Sequence, residues 1–154
     1  LDVRGFHDAS DGPAFEEALE AAASIAVRLV RSGVSVGLLT NAVMTGEASP
    51  VVPVSQAPEQ LAVILERMAR MNPAPAGDLT APAGRLLART PGAGCLHFVH
   101  TVNAAAEAFG ASLADRRTPV SFVAARRSED LPAGPAAGRE VVYVETLRGS
   151  GGGP

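Results

Sequence analysis

Short apolar runs alternate along this chain with longer amphipathic stretches, and this alternation restricts the possible folds more than any other feature. Residues 34–40 are apolar on both faces, which is typical of a strand buried inside a parallel sheet. Similar runs cover residues 95–101, 120–124 and 141–144. Strands that alternate with helices form a mainly parallel sheet with helices on both faces. The sequence therefore predicts a three-layer α/β domain.

The helices are predicted from apolar spacing and from their end signals. In residues 13–32, Phe15, Leu19, Ala22 and Ala26 recur at helical spacing. Ser10 or Asp11 can cap this helix, with Pro13 in its first turn, and Gly33 can end it. Further helices are expected over residues 58–71, 80–89 and 103–115, the last capped by Thr101 or Asn103.

The remaining stretches are rich in turn-forming residues. We expect loops at residues 7–12, 41–50, 72–78 and 126–139. Residues 51–54 form a short extended piece, and Pro53 limits it to the edge of a sheet. The sequence predicts a domain over residues 1–148 and a flexible glycine-rich tail over 149–154.

Composition excludes several classes of function. The net charge is −3, so there is no basic field that would attract nucleic acid. All 13 basic residues are arginine, which removes lysine Schiff-base chemistry and the lysine of a phosphate-binding P-loop. The single cysteine, Cys95, is expected to be a buried structural thiol. No apolar run reaches the roughly 18–20 residues that span a bilayer.

The chain opens inside a strand-like run, Leu1-Asp2-Val3, and we expect it to be part of a longer protein. In open α/β sheets the ligand site lies beyond the carboxyl ends of the strands. The polar residues expected there are Asp2, Thr40, Asn41, His100, Thr101 and Asn103.

This set is poor in catalytic groups. A magnesium ion would need oxygen ligands such as Asp2 with Asp8 or Asp78. His97 and His100 lie three positions apart in a strand, so they point to opposite faces and do not suit a zinc site. There is no G-x-S-x-G motif for a hydrolase. A phosphotransferase of the D-x-D type would need an aspartate where Arg4 stands, and a lysine. We therefore expect a protein that is not an enzyme.

Several segments resemble one bacterial family. They are Leu1-Asp2-Val3-Arg4, Phe15-Glu16, residues 21–27, residues 33–40 and the helix over 60–71. Together they resemble domain-of-unknown-function family fifty-eight over most of residues 1–125. The resemblance implies a von Willebrand factor A-like domain with strand order 3-2-1-4-5-6. It also implies transmembrane helices ahead of the domain and a role in assembly or regulation beside a MoxR-type AAA+ ATPase.

The same resemblance implies a metal-ion-dependent adhesion site, and this chain departs from its pattern. Asp2 matches the aspartate of the D-x-S-x-S motif, but Arg4 and Phe6 replace both serines. Thr80 resembles the motif's threonine, and Val102 stands where an aspartate is expected. We expect a degenerate site in which Arg4 pairs with Asp2 and no metal or other cofactor is needed. If Mg²⁺ does bind, Asp2 and Thr80 are its expected ligands.

The favoured hypothesis is a non-catalytic protein-interaction domain of a membrane-anchored bacterial protein. Its partner would be a MoxR-type ATPase and not nucleic acid. The full-length protein would lie on the cytoplasmic side of the cell membrane. Its membrane anchor would lie outside these 154 residues, which would be soluble on their own. The expected interaction surface comprises Asp2, Arg4, Phe6, Asp8, Thr40, Asn41, Asp78, Thr80, Thr101 and Asn103. The alternatives are a divalent-metal-dependent binding domain or hydrolase that uses Asp2, Asp8 and Thr80, and a purely structural domain of a membrane protein.

Overall fold

The computed structural model describes residues 1–46, 48–127 and 140–149, with the backbone alone for residues 148 and 149. The described helices are α1 (Arg4–Asp8), α2 (Gly12–Arg31), α3 (Gln60–Ala69), α4 (Thr80–Ala88), α5 (Ala104–Ala114) and α6 (Val144–Gly149). The described strands are β1 (Val36–Leu39), β2 (Ala42–Met44), β3 (Val51–Ser55), β4 (Met71–Pro75), β5 (Cys95–Val99), β6 (Val120–Ala124) and β7 (Val141–Tyr143).

The strands form one parallel group and two antiparallel pairs. Strands β5, β6 and β7 lie side by side in parallel, as predicted for this half of the chain. Strand β3 runs antiparallel to β1, and the described part of the connection between them contains β2 but no helix, as an antiparallel pair allows. In the described part of the chain β3 pairs with β1 alone, so the edge position predicted from Pro53 is confirmed. The protein is mixed α/β.

The first residues connect β1 to β5. The amino group of Leu1 donates a 2.8 Å hydrogen bond to the carbonyl oxygen of Leu39, at the end of β1. The backbone N–H of Asp2 donates a 2.9 Å hydrogen bond to the carbonyl oxygen of Phe98, in β5. Leu1 and Val3 are buried. The carboxyl ends of β1 and β5 are therefore held on either side of the N-terminal segment.

Alternate side chains of β5 and β6 enter two different apolar clusters. Phe98 and Val123 pack in a cluster with residues of α2 and α3. Val99 and Phe122 pack in a second cluster with residues of α4 and α5. This period of two is what a strand with both faces covered requires.

The predicted helix ends are confirmed where a local signal marks them. The side chain of Asp11 accepts a 3.0 Å hydrogen bond from the N–H of Ala14 at the start of α2. Asn103 caps α5 in the same way, through the N–H of Ala106. Gly33 follows α2 with a φ of +75°, a conformation that favours glycine.

Some predicted loops and the predicted C-terminal end are wrong. A short helix, α1, covers the start of the turn expected at residues 7–12, because Phe6 is buried and its ring packs edge-on against Phe15 with centroids 5.8 Å apart.

Strands β2 and β4 occupy parts of the loops expected at 41–50 and 72–78. They pair antiparallel with an irregular register, and the exposed Pro73 is tolerated because β4 has no second described neighbour.

Helix α6 begins at Val144, which was expected to end a strand, and includes Gly149, which was expected to begin the tail. The rest of that tail, residues 150–154, and most of the loop expected at 126–139 lie outside the described residues.

Candidate functional site

Asp2 lies at the centre of a polar cluster at the carboxyl ends of β1 and β5. Its side chain is 13% exposed. Arg4, in the first turn of α1, donates to the two carboxylate oxygens from Nη2 at 3.0 Å and from Nε at 3.3 Å, and its backbone N–H donates at 3.1 Å. Asn41 Nδ2 donates a fourth bond, at 2.7 Å. The predicted ion pair between Asp2 and Arg4 is confirmed.

These contacts determine the charge state of Asp2. Burial is the largest single influence and opposes ionisation, but the hydrogen bonds from Arg4 and Asn41 together outweigh it and lower the pKa of the Asp2 carboxyl. The pKa of Arg4 is raised, chiefly by its hydrogen bond to Asp2. The pair is therefore ionised at neutral pH.

Asn41 joins three segments of the chain. Its side-chain oxygen accepts a 2.8 Å hydrogen bond from the backbone N–H of Val3, while its amide nitrogen donates to Asp2 and, at 3.4 Å, to the carbonyl oxygen of Gly77. Its own carbonyl oxygen accepts from the N–H of Ala76. Asn41 is 5% exposed, so it acts as an internal connection between β1, the N-terminal segment and the loop before α4.

Thr80 belongs to the same cluster through Asp78. The two carboxylate oxygens of Asp78 accept hydrogen bonds from the backbone N–H of Thr80 at 2.9 Å and from its hydroxyl at 3.2 Å. Asp78 also lies 3.8 Å from Nη2 of Arg4. Arg4 therefore stands between two carboxylates, the nearly buried Asp2 and the exposed Asp78.

A cleft of about 250 Å³ opens beside this cluster. Its polar lining residues are Asp2, Arg4, Asp8, His100, Thr101 and Asn103. The wall formed by α1 approaches β5 closely, since a Cβ atom placed on Gly5 would lie 2.9 Å from Cβ of His100. The cleft thus brings together residues predicted from two separate strand ends, Asp2 from the N-terminal segment and His100, Thr101 and Asn103 after β5.

A second ionic cluster closes the start of α2, and sequence reasoning did not predict it. Asp11, the cap of α2, lies 3.2 Å from Nε2 of His100 and 3.2 Å from Nε of Arg126. Arg126 also donates to Glu17 at 2.8 Å. The N–H of Ala14 has the largest effect in lowering the pKa of Asp11, and His100 and Arg126 contribute. His100 and Arg126 follow parallel strands, so the shared carboxyl edge was the available signal.

His97 is buried on the other face of β5, as its spacing from His100 predicts. It is 2% exposed and lies against Phe109 and Phe122, with ring centroids 4.3 and 5.8 Å away. Neither ring nitrogen has a hydrogen-bond partner among the described residues. Burial is the main cause that lowers the pKa of His97 to about 3, so the ring is neutral at physiological pH.

Part of the expected interaction surface is internal. Phe6, Thr40 and Asn41 are all 5% exposed or less, which corrects the expectation that they face a partner. Thr40 instead accepts a 3.0 Å hydrogen bond from the N–H of Ala42. Arg4, Asp8, Asp78, Thr80 and Asn103 reach solvent, and Thr101 is half-buried.

No three His, Cys, Asp or Glu side chains converge into a group that could hold a metal ion within residues 1–46, 48–127 and 140–149. None of the helices in that part of the chain has the length and apolar character to cross a bilayer.

No protein-family model matches this chain, and no curated protein or solved structure is significantly similar to it.

Proposed function

We propose that this chain is a von Willebrand factor A-like domain that binds a protein partner and does not catalyse a reaction. The position of the N-terminal segment supports the fold. It is hydrogen-bonded to β1 on one side and to β5 on the other, while β3 flanks β1 and β6 and β7 follow β5. Counted with that segment as the first strand, this succession corresponds to the order 3-2-1-4-5-6.

The residues at the adhesion-site position fit a divalent cation poorly. Both oxygens of Asp2 already accept hydrogen bonds from the Arg4 guanidinium, 3.0 Å away at its nearest nitrogen. Val102, in place of a second carboxylate, is buried and supplies no oxygen side chain. A cation next to Arg4 would also meet the repulsion of a like charge. In this proposal the guanidinium takes the place of the ion and neutralises Asp2.

The single observation that carries the proposal is the half-exposed guanidinium of Arg4, held by Asp2 from beneath. Its side chain is 42% exposed, and the Asp2 side chain below it is 13% exposed. Exposed polar groups surround it at the same end of the sheet: Asp8, Asp78, Thr80 and Asn103. We call Arg4 and these four residues the interaction face. A fixed arginine within a polar rim is a common feature of protein-binding surfaces.

The resemblance to family fifty-eight supplies the proposed partner, a MoxR-type AAA+ ATPase, with which the domain would work in assembly or regulation. In the same proposal the domain is part of a bacterial membrane protein and faces the cytoplasm. Both the partner and the location depend on the resemblance.

The experiment is a pull-down of a MoxR-type ATPase from the same genome with purified variants of this chain. Thr80→Arg and Ala105→Arg place a bulky charge at the start of α4 and on the cleft wall. Their matched controls, Ala88→Arg and Ala114→Arg, change exposed alanines at the far ends of the same helices. Loss of capture in the first pair alone would support the proposal. Equal capture by all four variants, or none by the parent chain, would contradict it.

The second candidate is a divalent-metal-dependent binding domain. In its favour, carboxylate oxygens of Asp2 and Asp78 both lie near the Arg4 guanidinium, and the Thr80 hydroxyl is bonded to Asp78. Possible oxygen ligands therefore lie close to one positively charged group. Calorimetric titration with Mg²⁺ and Mn²⁺ separates the two candidates. Micromolar binding by the parent chain that is lost in Asp2→Ala would replace the first proposal with this one.

A further inference from the structure

A cavity of about 510 Å³, which we call the slot, lies between β1 and β5 in the described part of the chain. Its walls come from both helical layers, with Ile25 and Ile64 on the α2–α3 side and Phe109 on the α4–α5 side. None of the side chains that line it is charged. Pockets of about 300–1,000 Å³ with mostly apolar walls bind small organic molecules. The slot therefore has the volume and the lining for an apolar ligand.

The slot reaches the surface at the end of the sheet where β1 and β5 begin. It is lined there by Val34, which precedes β1, by the turn over residues 90–94, and by Leu96 of β5. Val34 is 45% exposed and Leu96 is 42% exposed. Among the described residues the third large hydrophobic side chain with such exposure is Val43, which does not line the slot. The apolar surface of the slot thus continues to its mouth.

Two helices end beside this mouth and bring arginines to it. Helix α2 leads into β1 and α4 leads into β5, so the carboxyl ends of both helices lie where those strands begin. Leu29 and Leu86, near these helix ends, line the slot. Four exposed arginines occupy the same turns, and we call them the mouth arginines: Arg28, Arg31, Arg85 and Arg89. Within the described residues none of the four forms an ion pair.

This end of the sheet is positively charged, although the whole chain carries a net charge of −3. Arg116 and Arg117 lie between α5 and β6 and add to the mouth arginines. The acidic residues that the topology places at this end, in the described part of the chain, are Glu59, Asp115 and Glu140. Basic groups therefore outnumber acidic groups around the mouth, and an anion is attracted to it.

An apolar slot beneath a positively charged mouth suits a molecule with two different ends. Each CH₂ group of a hydrocarbon chain that leaves water for an apolar site strengthens binding by about fourfold. A charge inside the slot would lose its hydration without a charged side chain to pair with. An anionic head group at the mouth would stay in water beside the arginines, whereas a cationic head group there would be repelled.

We propose that the slot binds the hydrocarbon chain of a single-chain anionic amphiphile, such as a fatty acid, whose carboxylate lies at the mouth beside the mouth arginines. The interaction face lies at the carboxyl ends of β1 and β5, and the mouth lies at their amino ends. The proposed site is therefore separate from the interaction face and does not depend on the proposed function.

The first test is calorimetric titration of the full chain with decanoate, dodecanoate and tetradecanoate, each below its critical micelle concentration. The affinity is expected to rise by about tenfold for each two added CH₂ groups until the slot is filled. Dodecyltrimethylammonium, which has the same chain as dodecanoate and a cationic head group, is expected to bind about tenfold more weakly or less. Cys95 lines the slot and is half-buried, so saturating dodecanoate should slow its alkylation by iodoacetamide about tenfold.

Variants at exposed positions test the place of binding with little risk to folding. Val34→Glu and Leu96→Glu each put a carboxylate at the mouth and are expected to weaken dodecanoate binding about tenfold or more. Val43→Glu is the matched control, since Val43 is 42% exposed and lies outside the slot, and should bind as the parent chain does.

A second pair of variants tests the charge at the mouth. The double variant Arg31→Gln with Arg89→Gln should weaken dodecanoate binding about fivefold, because two exposed cations beside the carboxylate are lost. Arg70→Gln with Arg127→Gln removes the same charge from two exposed arginines outside the mouth and should leave the affinity unchanged.

The proposal is overturned if none of the three fatty acids binds, if affinity does not rise with chain length, or if the mouth variants bind as their controls do. Equal binding of dodecanoate and dodecyltrimethylammonium would also overturn it. Co-sedimentation with vesicles of phosphatidylcholine and phosphatidylglycerol separates a membrane surface from a monomeric ligand. Binding to these vesicles without binding of monomeric dodecanoate would assign the mouth to a membrane surface and exclude the proposed site.

Discussion

Asn41 and Asp2 are 39 positions apart in sequence and are joined by a 2.7 Å hydrogen bond from the Asn41 amide to the Asp2 carboxylate. The same side chain accepts from the N–H of Val3, so one buried amide satisfies a charge and a backbone group together. This double role makes Asn41 the residue whose loss should most disturb the cluster.

Replacing Asn41 with alanine should lower the free energy of unfolding by about 2–4 kcal/mol, because the Val3 N–H and one side of Asp2 lose their partners inside the protein. Chemical denaturation monitored by circular dichroism measures the change. Asn72→Ala is the matched control, since Asn72 is exposed and its side chain makes bonds of 3.1 and 3.5 Å. A loss as small as that of the control would show that Asn41 is not a structural connection.

Arg4→Ala should cost about 1–2 kcal/mol, because it removes two charge-assisted hydrogen bonds from a carboxylate that is mostly shielded from solvent. Arg70→Ala is the control. It breaks an ion pair of 2.6 Å with Glu66 in which both side chains are more than 40% exposed, and such pairs contribute roughly 0.2–1 kcal/mol. A double-mutant cycle with Asp2→Asn isolates the pair. A coupling energy near zero would contradict the proposal that Arg4 neutralises Asp2.

Gly5→Ala should destabilise the protein by about 1–2 kcal/mol, although alanine is the better helix former. The added Cβ would lie 2.9 Å from Cβ of His100, at the base of that side chain, so α1 or β5 must move. Gly12→Ala, at the start of α2, meets nothing within 4 Å and should be close to neutral. Thermal unfolding of the two variants makes the comparison, and an equal Tm would show that α1 shifts freely.

Stability should fall as the pH is lowered through the range set by the folded and unfolded pKa values of His97. Its folded pKa of about 3 lies below the value of about 6.5 for an unfolded chain, so only the unfolded state binds a proton between these values. The free energy of unfolding should therefore fall by up to about 1.4 kcal/mol for each unit of pH below 6.5, and level off near pH 3.

His97→Phe should weaken this dependence and should not reduce stability at pH 7, because neither ring nitrogen of His97 has a described partner. His7→Phe, at an exposed histidine, is the control for the loss of an imidazole elsewhere in the chain. Measurements between pH 7 and 4.5 avoid most of the titration of Asp2 and Asp11. Because the folded pKa values of these two residues are lowered, the stability that they contribute is lost only as the pH falls through the normal aspartate range and below it. If the free energy of unfolding changes with pH by the same amount in the parent and in the His97 variant, the assignment of this pH dependence to His97 is wrong.

The features that could be predicted from sequence are those fixed by neighbouring residues. The caps Asp11 and Asn103, the terminal Gly33 and the Asp2–Arg4 pair each depend on groups two to four positions apart. The β2–β4 pairing depends on segments about 30 positions apart, and the prolines of β4 resemble a loop pattern. Helix α1 has no side-chain cap, and only the packing of Phe6 against Phe15 reveals why it forms.

The candidate site shows the same division. The polar residues at the strand ends could be named from the sequence, and several of them do share a cleft. Their burial could not be predicted, because it depends on which elements cover them. Thr40 and Asn41 are enclosed by the N-terminal segment, the residue before β3 and the loop before α4, as their hydrogen bonds to Val3, Pro50 and Ala76 indicate.

The cluster around Asp11 affects the order in which contacts can form while the chain is being synthesised. Its partners His100 and Arg126 follow Asp11 by 89 and 115 positions, so α2 leaves the ribosome long before they are synthesised. Until β5 emerges, the start of α2 has its own cap but no anchor to the parallel strands. Contacts this distant in sequence form late and slow folding. Helix α3, in the first half of the chain, can already cover part of the apolar face of α2, but the part that clusters with Phe98 and Val123 stays uncovered until the second half is made.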